Sequence, residues 1–315
     1  MKWFLILIGC LVSATAYATL NDGIKAFKKQ KYDIALVEFR QLASVGNAEA
    51  RYYLGLMQKD GLGMPKDTGR AMGWLKKSSS QGYANANLQI GKMYLSGDGV
   101  EQNVDSAIDW LSKAGEQGLV EAQSTLALLY FTGEQTEKDA AKAVKWFEAA
   151  ANQGDTEAQY QLANIFYKGD GIEPNVDAAL LWYRKSADAG HLDAKYTLAY
   201  LYMDGQVLAQ NYPLAFSLFD EVAQAGNRNA QYMLGYMYDQ GMGVTKSPTS
   251  AFDWYLKAAN QGYDEAQLIV GYMHLSGKGA KKDPKAAEQW LQKAAAQGNA
   301  KATKMLAEMN TTKKR

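Results

Sequence analysis

Cysteine is almost absent from this chain. Cys10 is the one thiol in 315 residues, and it lies in an N-terminal segment expected to be removed. The mature protein then has no disulfide to support it and no thiol chemistry. Histidine is nearly as scarce, with only His191 and His274. Zinc and most transition-metal sites draw on these two residue types, and no carboxylate cluster with ligand spacing takes their place. No metal and no cofactor is expected. Charge of one sign is also missing: without Lys2, 33 basic residues stand against 33 acidic ones. That balance provides no basic surface for nucleic acid. Nor is there an apolar run of the roughly 20 residues that crosses a bilayer, so no transmembrane anchor is expected.

The N-terminus nevertheless reads as an address. Lys2 precedes the apolar stretch Trp3 to Val12, and Ala16-Tyr17-Ala18 has the small-x-small pattern of a signal peptidase site. Residues 1–18 are expected to be a signal peptide cut after Ala18, which places the chain in the periplasm or outside the cell. Leu7-Ile8-Gly9-Cys10 resembles a lipoprotein box. A cut there would leave about six apolar residues, short of the roughly 7–15 of a signal core, and this reading is disfavoured.

What the chain does have is a period. Glycine recurs every 36 residues at Gly46, Gly82, Gly118, Gly154, Gly190, Gly226, Gly262 and Gly298. Numbering from each of these glycines as position 0, alanine recurs at position 4 (Ala50 to Ala302) and position 25 (Ala71 to Ala287), and a second glycine at position 15 (Gly61 to Gly277). A fixed period of this length is the signature of a helical repeat array, not of a globular enzyme. In the stretch from Gly154, the residues Ala158, Leu162, Ile165 and Phe166 form one helical stripe. Gly169 then sits where a helix end needs positive φ. Position 21 carries an N-cap residue in every repeat: Asp67, Asn103, Asp139, Asn175, Asn211, Ser247 and Asp283. The five prolines all fall in this connection or in the first turn after it. Position 28 is Trp74, Trp110, Trp146, Trp182, Trp254 and Trp290, with Leu218 the one substitution. Large rings at helical spacing read as core.

Helix pairs with A-x3-L-[GA] in the first helix, a G-x-G loop and A-x2-W-[LYF] in the second resemble Sel1-like repeats, relatives of tetratricopeptide repeats. The resemblance covers Gly46 to Ala307. It implies an all-α fold, an α/α superhelical solenoid. Seven repeats would occupy 46–81, 82–117, 118–153, 154–189, 190–225, 226–261 and 262–297. A tetratricopeptide-like capping half-repeat would precede them at 19–45, and a capping helix with a basic tail would follow at 298–315. Gln135 and Val207 replace the second loop glycine, so those two loops are expected to differ in shape. Some secreted Sel1-type proteins carry a disulfide in each repeat; this chain departs from them.

No catalytic constellation is present. His191 and His274 read as packing or surface variants. The loops Asp60-Gly61-Leu62-Gly63 and Gly97-Asp98-Gly99 lack the alternating oxygens of a calcium loop. Residues 271–278 have the wrong spacing for a phosphate loop. Some Sel1 relatives have been described as β-lactamases, but the S-x-x-K, S-D-N and K-T-G set is absent. The chain is expected not to be an enzyme.

Function is therefore sought on a face. The resemblance implies that positions 3, 6, 10 and 13 point into a concave groove. Tyr160, Tyr196 and Tyr232 stand at position 6, and Tyr200, Tyr236 and Tyr272 at position 10. Glu157 and Asp193 are among the acidic residues at position 3. Tyrosine suits protein recognition, being large, rigid and polar at the tip. These eight residues are expected to bind another protein or a peptide segment of basic and apolar character. Inter-repeat packing is the competing reading of the tyrosines. By family analogy the setting would be envelope assembly, signalling, host interaction or immunity against a toxin effector. The alternatives are a carbohydrate- or peptidoglycan-binding module and, more weakly, a cell-wall or β-lactam hydrolase.

Overall fold

A computed structural model describes residues 20–313; the segment expected to be a signal peptide, with Cys10, and the end of the basic tail lie outside the described residues. The fold is all-α. Among the described residues there are seventeen helices and no strand, arranged as the successive helix pairs that the period predicts. Helices α1 (20–28) and α2 (Tyr32–Ser44) come first. The first helices of the seven repeats are α3 (Ala48–Asp60), α5 (Ala84–Ser96), α7 (Val120–Thr132), α9 (Thr156–Lys168), α11 (Leu192–Asp204), α13 (Arg228–Gln240) and α15 (Asp264–Ser276). Their second helices are α4 (Thr68–Ser79), α6 (Val104–Glu116), α8 (Ala140–Asn152), α10 (Val176–Asp188), α12 (Tyr212–Gln224), α14 (Pro248–Asn260) and α16 (Pro284–Ala296). Helix α17 (Ala300–Lys313) closes the series. The helices fall into two compact units, one of Met1–Ala158 with Lys168–Pro174, the other of Gln159–Tyr167 with Asn175–Arg315. Within each unit, helices pack on their neighbours in sequence.

Each pair is drawn together by small residues. The alanines at positions 4 and 25 are buried throughout, and position 9 is glycine or alanine. A Cβ on Gly91 would stand 2.7 Å from Leu111, and one on Gly235 2.7 Å from Tyr255, so these first helices touch the large residue at position 29 directly. Where position 9 is alanine, position 29 is a ring: Phe147, Tyr183 or Phe219.

The connection is fastened by the residue at position 21. Its side chain accepts from an amide in the first turn of the second helix, as Asn103 does from Ser106 N at 2.8 Å. Its own N–H donates back to the carbonyl at position 12. That bond occurs in all seven repeats, from Asp67 to Gln58 at 2.8 Å through to Asp283 to His274 at 2.9 Å. One residue therefore starts the second helix and ties it to the end of the first. The glycines at position 15 close the first helices with φ of 68–77°. Those at position 17 also have positive φ and press on the start of the preceding repeat's second helix; a Cβ on Gly279 would overlap the Pro248 carbonyl. At Gln135 and Val207 φ is not positive, so the loops of the third and fifth repeats do take another shape.

The ends are covered as well. Phe39 of α2 stacks on Tyr53 of α3 with ring centroids 4.8 Å apart, over a core that includes Leu20, Leu36 and Leu54. At the other end Ala302 of α17 packs with Leu268, Leu291 and Ala294, while Lys301, Lys304 and Glu308 face water.

Gly279→Ala is expected to destabilise the protein well beyond the about 1–3 kcal/mol of a strained backbone position, because the methyl also meets backbone. Gly298→Ala, with φ +91° but nothing within 4 Å, should cost only the backbone part. The comparison of their urea unfolding midpoints checks the difference.

Candidate functional site

The tyrosines expected to share one role divide by position. At position 6, Tyr160, Tyr196 and Tyr232 are half-buried. Each lies against the ring at position 29 of its own repeat: Tyr160 on Tyr183 at 6.0 Å, Tyr196 on Phe219 at 5.4 Å, Tyr232 on Tyr255 at 5.5 Å. Two of them also meet position 1 of the following repeat. Tyr160 stacks on His191 at 4.8 Å, and Tyr232 meets Tyr263 edge-on at 5.0 Å. In the other unit Tyr52 meets Tyr83 at 5.3 Å, and Ser124 reaches Asp155 at 3.1 Å. Position 6 is thus a joint between consecutive repeats. Burial, followed by neighbouring tyrosines, raises the phenol pKa of Tyr196 above 10.0; burial with neighbouring tyrosines and carboxylates does the same for Tyr232 and raises that of Tyr52 to about 12.

At position 10 the rings are free. Tyr200, Tyr236 and Tyr272 are 49%, 36% and 53% exposed, which for tyrosine at helical spacing is large. All three stand on first helices of one unit (α11, α13 and α15). The same position in α9 holds Asn164, whose side chain accepts from the Tyr183 hydroxyl at 2.7 Å. Leu128 on α7 is exposed too, at 44%. Among the acidic residues, Glu157, Asp193, Glu265 and Glu121 are exposed. Glu121 is paired with Lys92, so the acidic edge is partly neutralised in that unit.

Both histidines have structural partners. His191 Nδ1 accepts the Ala194 amide at 3.2 Å as the N-cap of α11. His274 packs edge-on against Phe252 at 5.1 Å, with Nδ1 3.1 Å from the Lys281 carbonyl oxygen. Among the described residues no group of three or more His, Cys, Asp or Glu could hold a metal ion, and no helix is long and apolar enough to cross a membrane.

Two further arrays complete the repeat. Position 5 carries buried amides that bridge successive second helices. Gln123 donates to Gly115 O at 2.8 Å and accepts from Gln153 at 2.8 Å. Gln231 joins Ala223 O and Gln261 in the same way, and Gln267 joins Ala259 O and Gln297. The signal lay in the sequence, since glutamine stands at position 5 in four repeats and at position 35 in five. The position-28 tryptophans are buried or half-buried, and all but Trp146 have a lysine three residues on that covers the ring. Lys113, Lys185, Lys257 and Lys293 lie 3.6–4.1 Å from the ring centroids.

Two outcomes are expected. Gln261→Ala strands the buried Gln231 carbonyl and should cost about 1–3 kcal/mol, whereas Gln224→Ala on the surface should cost little; chemical denaturation of the pair checks it. Tyr232→Ala removes a half-buried ring and should cost about 2 kcal/mol, while Tyr200→Ala should stay within about 0.5 kcal/mol, read as a difference in melting temperature.

The Sel1 repeat family model matches seven consecutive segments: 48–83, 84–119, 120–155, 156–191, 192–227, 228–263 and 264–299. These begin two residues after the glycines used above, at the first helices themselves. No curated protein matches the sequence. Among solved structures, c5321 of uropathogenic Escherichia coli, described as a protective antigen displaying an SLR fold, is 33% identical. That match covers 97% of this chain and 67% of c5321, with a TM-score of 0.86. A Sel1 repeat protein from Oxalobacter formigenes is 30% identical over 98% of this chain and 90% of its own, with a TM-score of 0.72. With seven matched repeats and such relatives along its whole length, the chain belongs to the Sel1 repeat family.

Proposed function

We propose that this chain is an exported, non-catalytic scaffold that binds a partner protein or peptide on the first-helix face of α11, α13 and α15. The observation that carries the reading is the exposure of Tyr200, Tyr236 and Tyr272. Position 6 supplies the ring that the fold uses, so position 10 has no packing demand to explain three successive tyrosines. A row of rigid rings with hydroxyl tips offers contact area at low entropic cost. Asp193 and Glu265, also exposed, give α11 and α15 acidic starts and suit a segment with basic residues. Export is supported by the charged start, apolar stretch and Ala16-Tyr17-Ala18 site of the first 18 residues. The protective-antigen description of the E. coli relative fits a protein that reaches the cell exterior. The absence of any nucleophile–base constellation in the sequence supports a binding role over a hydrolytic one.

The test is a crosslinking pull-down from envelope extract with the mature protein and a Tyr200→Ala/Tyr236→Ala variant side by side. The expected result is one protein recovered by the wild type and lost by a folded variant. Equal recovery would remove the tyrosine row from the binding face. Recovery of glycan in place of protein would turn the reading toward sugar stacking on the same rings.

A further inference from the structure

The fifth repeat departs from the pattern at several points that meet in space. In the third repeat, Trp146 (position 28), Gln123 (position 5) and Gly115 (position 33 of the repeat before) converge: a Cβ on Gly115 would lie 2.9 Å from the indole and 3.4 Å from the glutamine. The equivalents 72 residues on are Leu218, Lys195 and Ala187. The tryptophan has become a smaller aliphatic residue, and the bridging amide a lysine. The residue at position 31, a lysine over the indole in five repeats, is here Glu221, and it is paired with Lys195. The lysine that covers the ring elsewhere is thus replaced by a carboxylate that binds the lysine at position 5 instead.

These same residues line a cavity of about 410 Å³, within the roughly 300–1,000 Å³ of ligand pockets. Ala187 and Leu218 stand in it, with Leu198, Tyr202 and Leu214 as further apolar walls. Leu214 is 38% exposed, an open side for entry. Arg184 and Asp188 at the rim are of opposite sign, so the mouth favours no net charge. The second repeat offers a contrast. A hollow there shares positions 5, 28, 31 and 33 but runs to the far end of α6, by Glu116 and Gln117, and does not reach positions 8, 12 and 24; Ile90 and Tyr94, at positions 8 and 12, belong with Trp110 to one apolar cluster. In the fifth repeat the indole is absent and aliphatic surface is open in its stead.

We infer that this cavity, between α10, α11 and α12, receives a tryptophan side chain of a partner polypeptide, which takes the place that position 28 fills from within in the six other repeats. The occupant is argued from the repeat itself: six times out of seven this niche holds an indole, with a small residue at position 33 beneath it. Buried aromatic anchors entering apolar pockets commonly dominate such contacts. The site uses Lys195, Leu198 and Tyr202 of α11, a different stripe from Tyr196 and Tyr200, and it stands whether or not the tyrosine row binds anything.

The probe is N-acetyl-tryptophanamide, a tryptophan blocked as it would be within a chain, titrated into the mature protein and followed by methyl NMR. Saturable shifts confined to Leu198, Leu214 and Leu218 are expected, with N-acetyl-leucinamide binding more weakly. Leu218→Trp restores the pattern of the other repeats and should fold with an undiminished melting temperature while weakening the probe at least about tenfold. Leu214→Asp, at an exposed wall, should weaken it likewise and serves if the filled variant misfolds. Tyr200→Ala/Tyr236→Ala should bind the probe unchanged, which separates this site from the tyrosine row. No saturable shift in the wild type, equal binding by the Leu218→Trp and Leu214→Asp variants, or equal binding of the leucine analogue would overturn the assignment. Free tryptophan binding at least about tenfold more tightly than the blocked form would overturn the polypeptide as its source.

Discussion

Two helices can lie this close only if little more than a methyl stands between them. Every repeat observes that limit at positions 4, 9 and 25, and the rest of the structure depends on it. Once the backbones approach, the residue at position 29 presses on position 9, and the N–H at position 21 reaches the carbonyl at position 12. The same residue caps the next helix, so the turn and the pairing are set by one side chain and one amide. Among the described residues there is no cysteine, so no disulfide contributes to that geometry, and packing and backbone bonds carry it.

Coupling between neighbouring repeats rests on a second set of contacts. The buried glutamines join the ends of successive second helices through amide–amide and amide–carbonyl bonds, while rings at position 6 meet position 1 of the following repeat. Ion pairs add a surface layer: Lys138 to Asp170 at 2.8 Å and Lys278 to Asp239 at 2.6 Å, both between neighbouring repeats. All four side chains are partly or largely solvated, so these pairs contribute little next to the buried amides.

The fold was legible in the sequence because its determinants are local and recur. Glycine at position 15, an N-cap at position 21 and alanine at positions 4 and 25 each state a backbone or steric requirement without reference to the rest of the chain. The tyrosines were legible as a set but not as two sets. Whether Tyr196 or Tyr200 is buried depends on Phe219 beneath one of them, a pairing 23 residues away that no helical periodicity expresses. The glutamine rungs were missed for a related reason: a polar residue on a first helix reads as surface until its partners, 8 residues before and 30 residues after, are known. Leu218 was visible as one exception; that Lys195 and Glu221 change with it becomes meaningful only when the three meet.

The glutamine rung also bears on how such a protein changes over generations. Where the rung is complete its partners stand at the same distances, so a 36-residue unit that carries it bears on one side what a like neighbour requires on the other. Duplicating or deleting a whole unit leaves matched surfaces on both sides of the new junction, and array length is the property a gene of this kind can alter most readily. The fifth repeat resists that traffic. Its lysine, leucine and glutamate suit one another and not the general pattern, so a copy of it elsewhere would bring along its own irregularity, and its loss would remove something that no other unit carries.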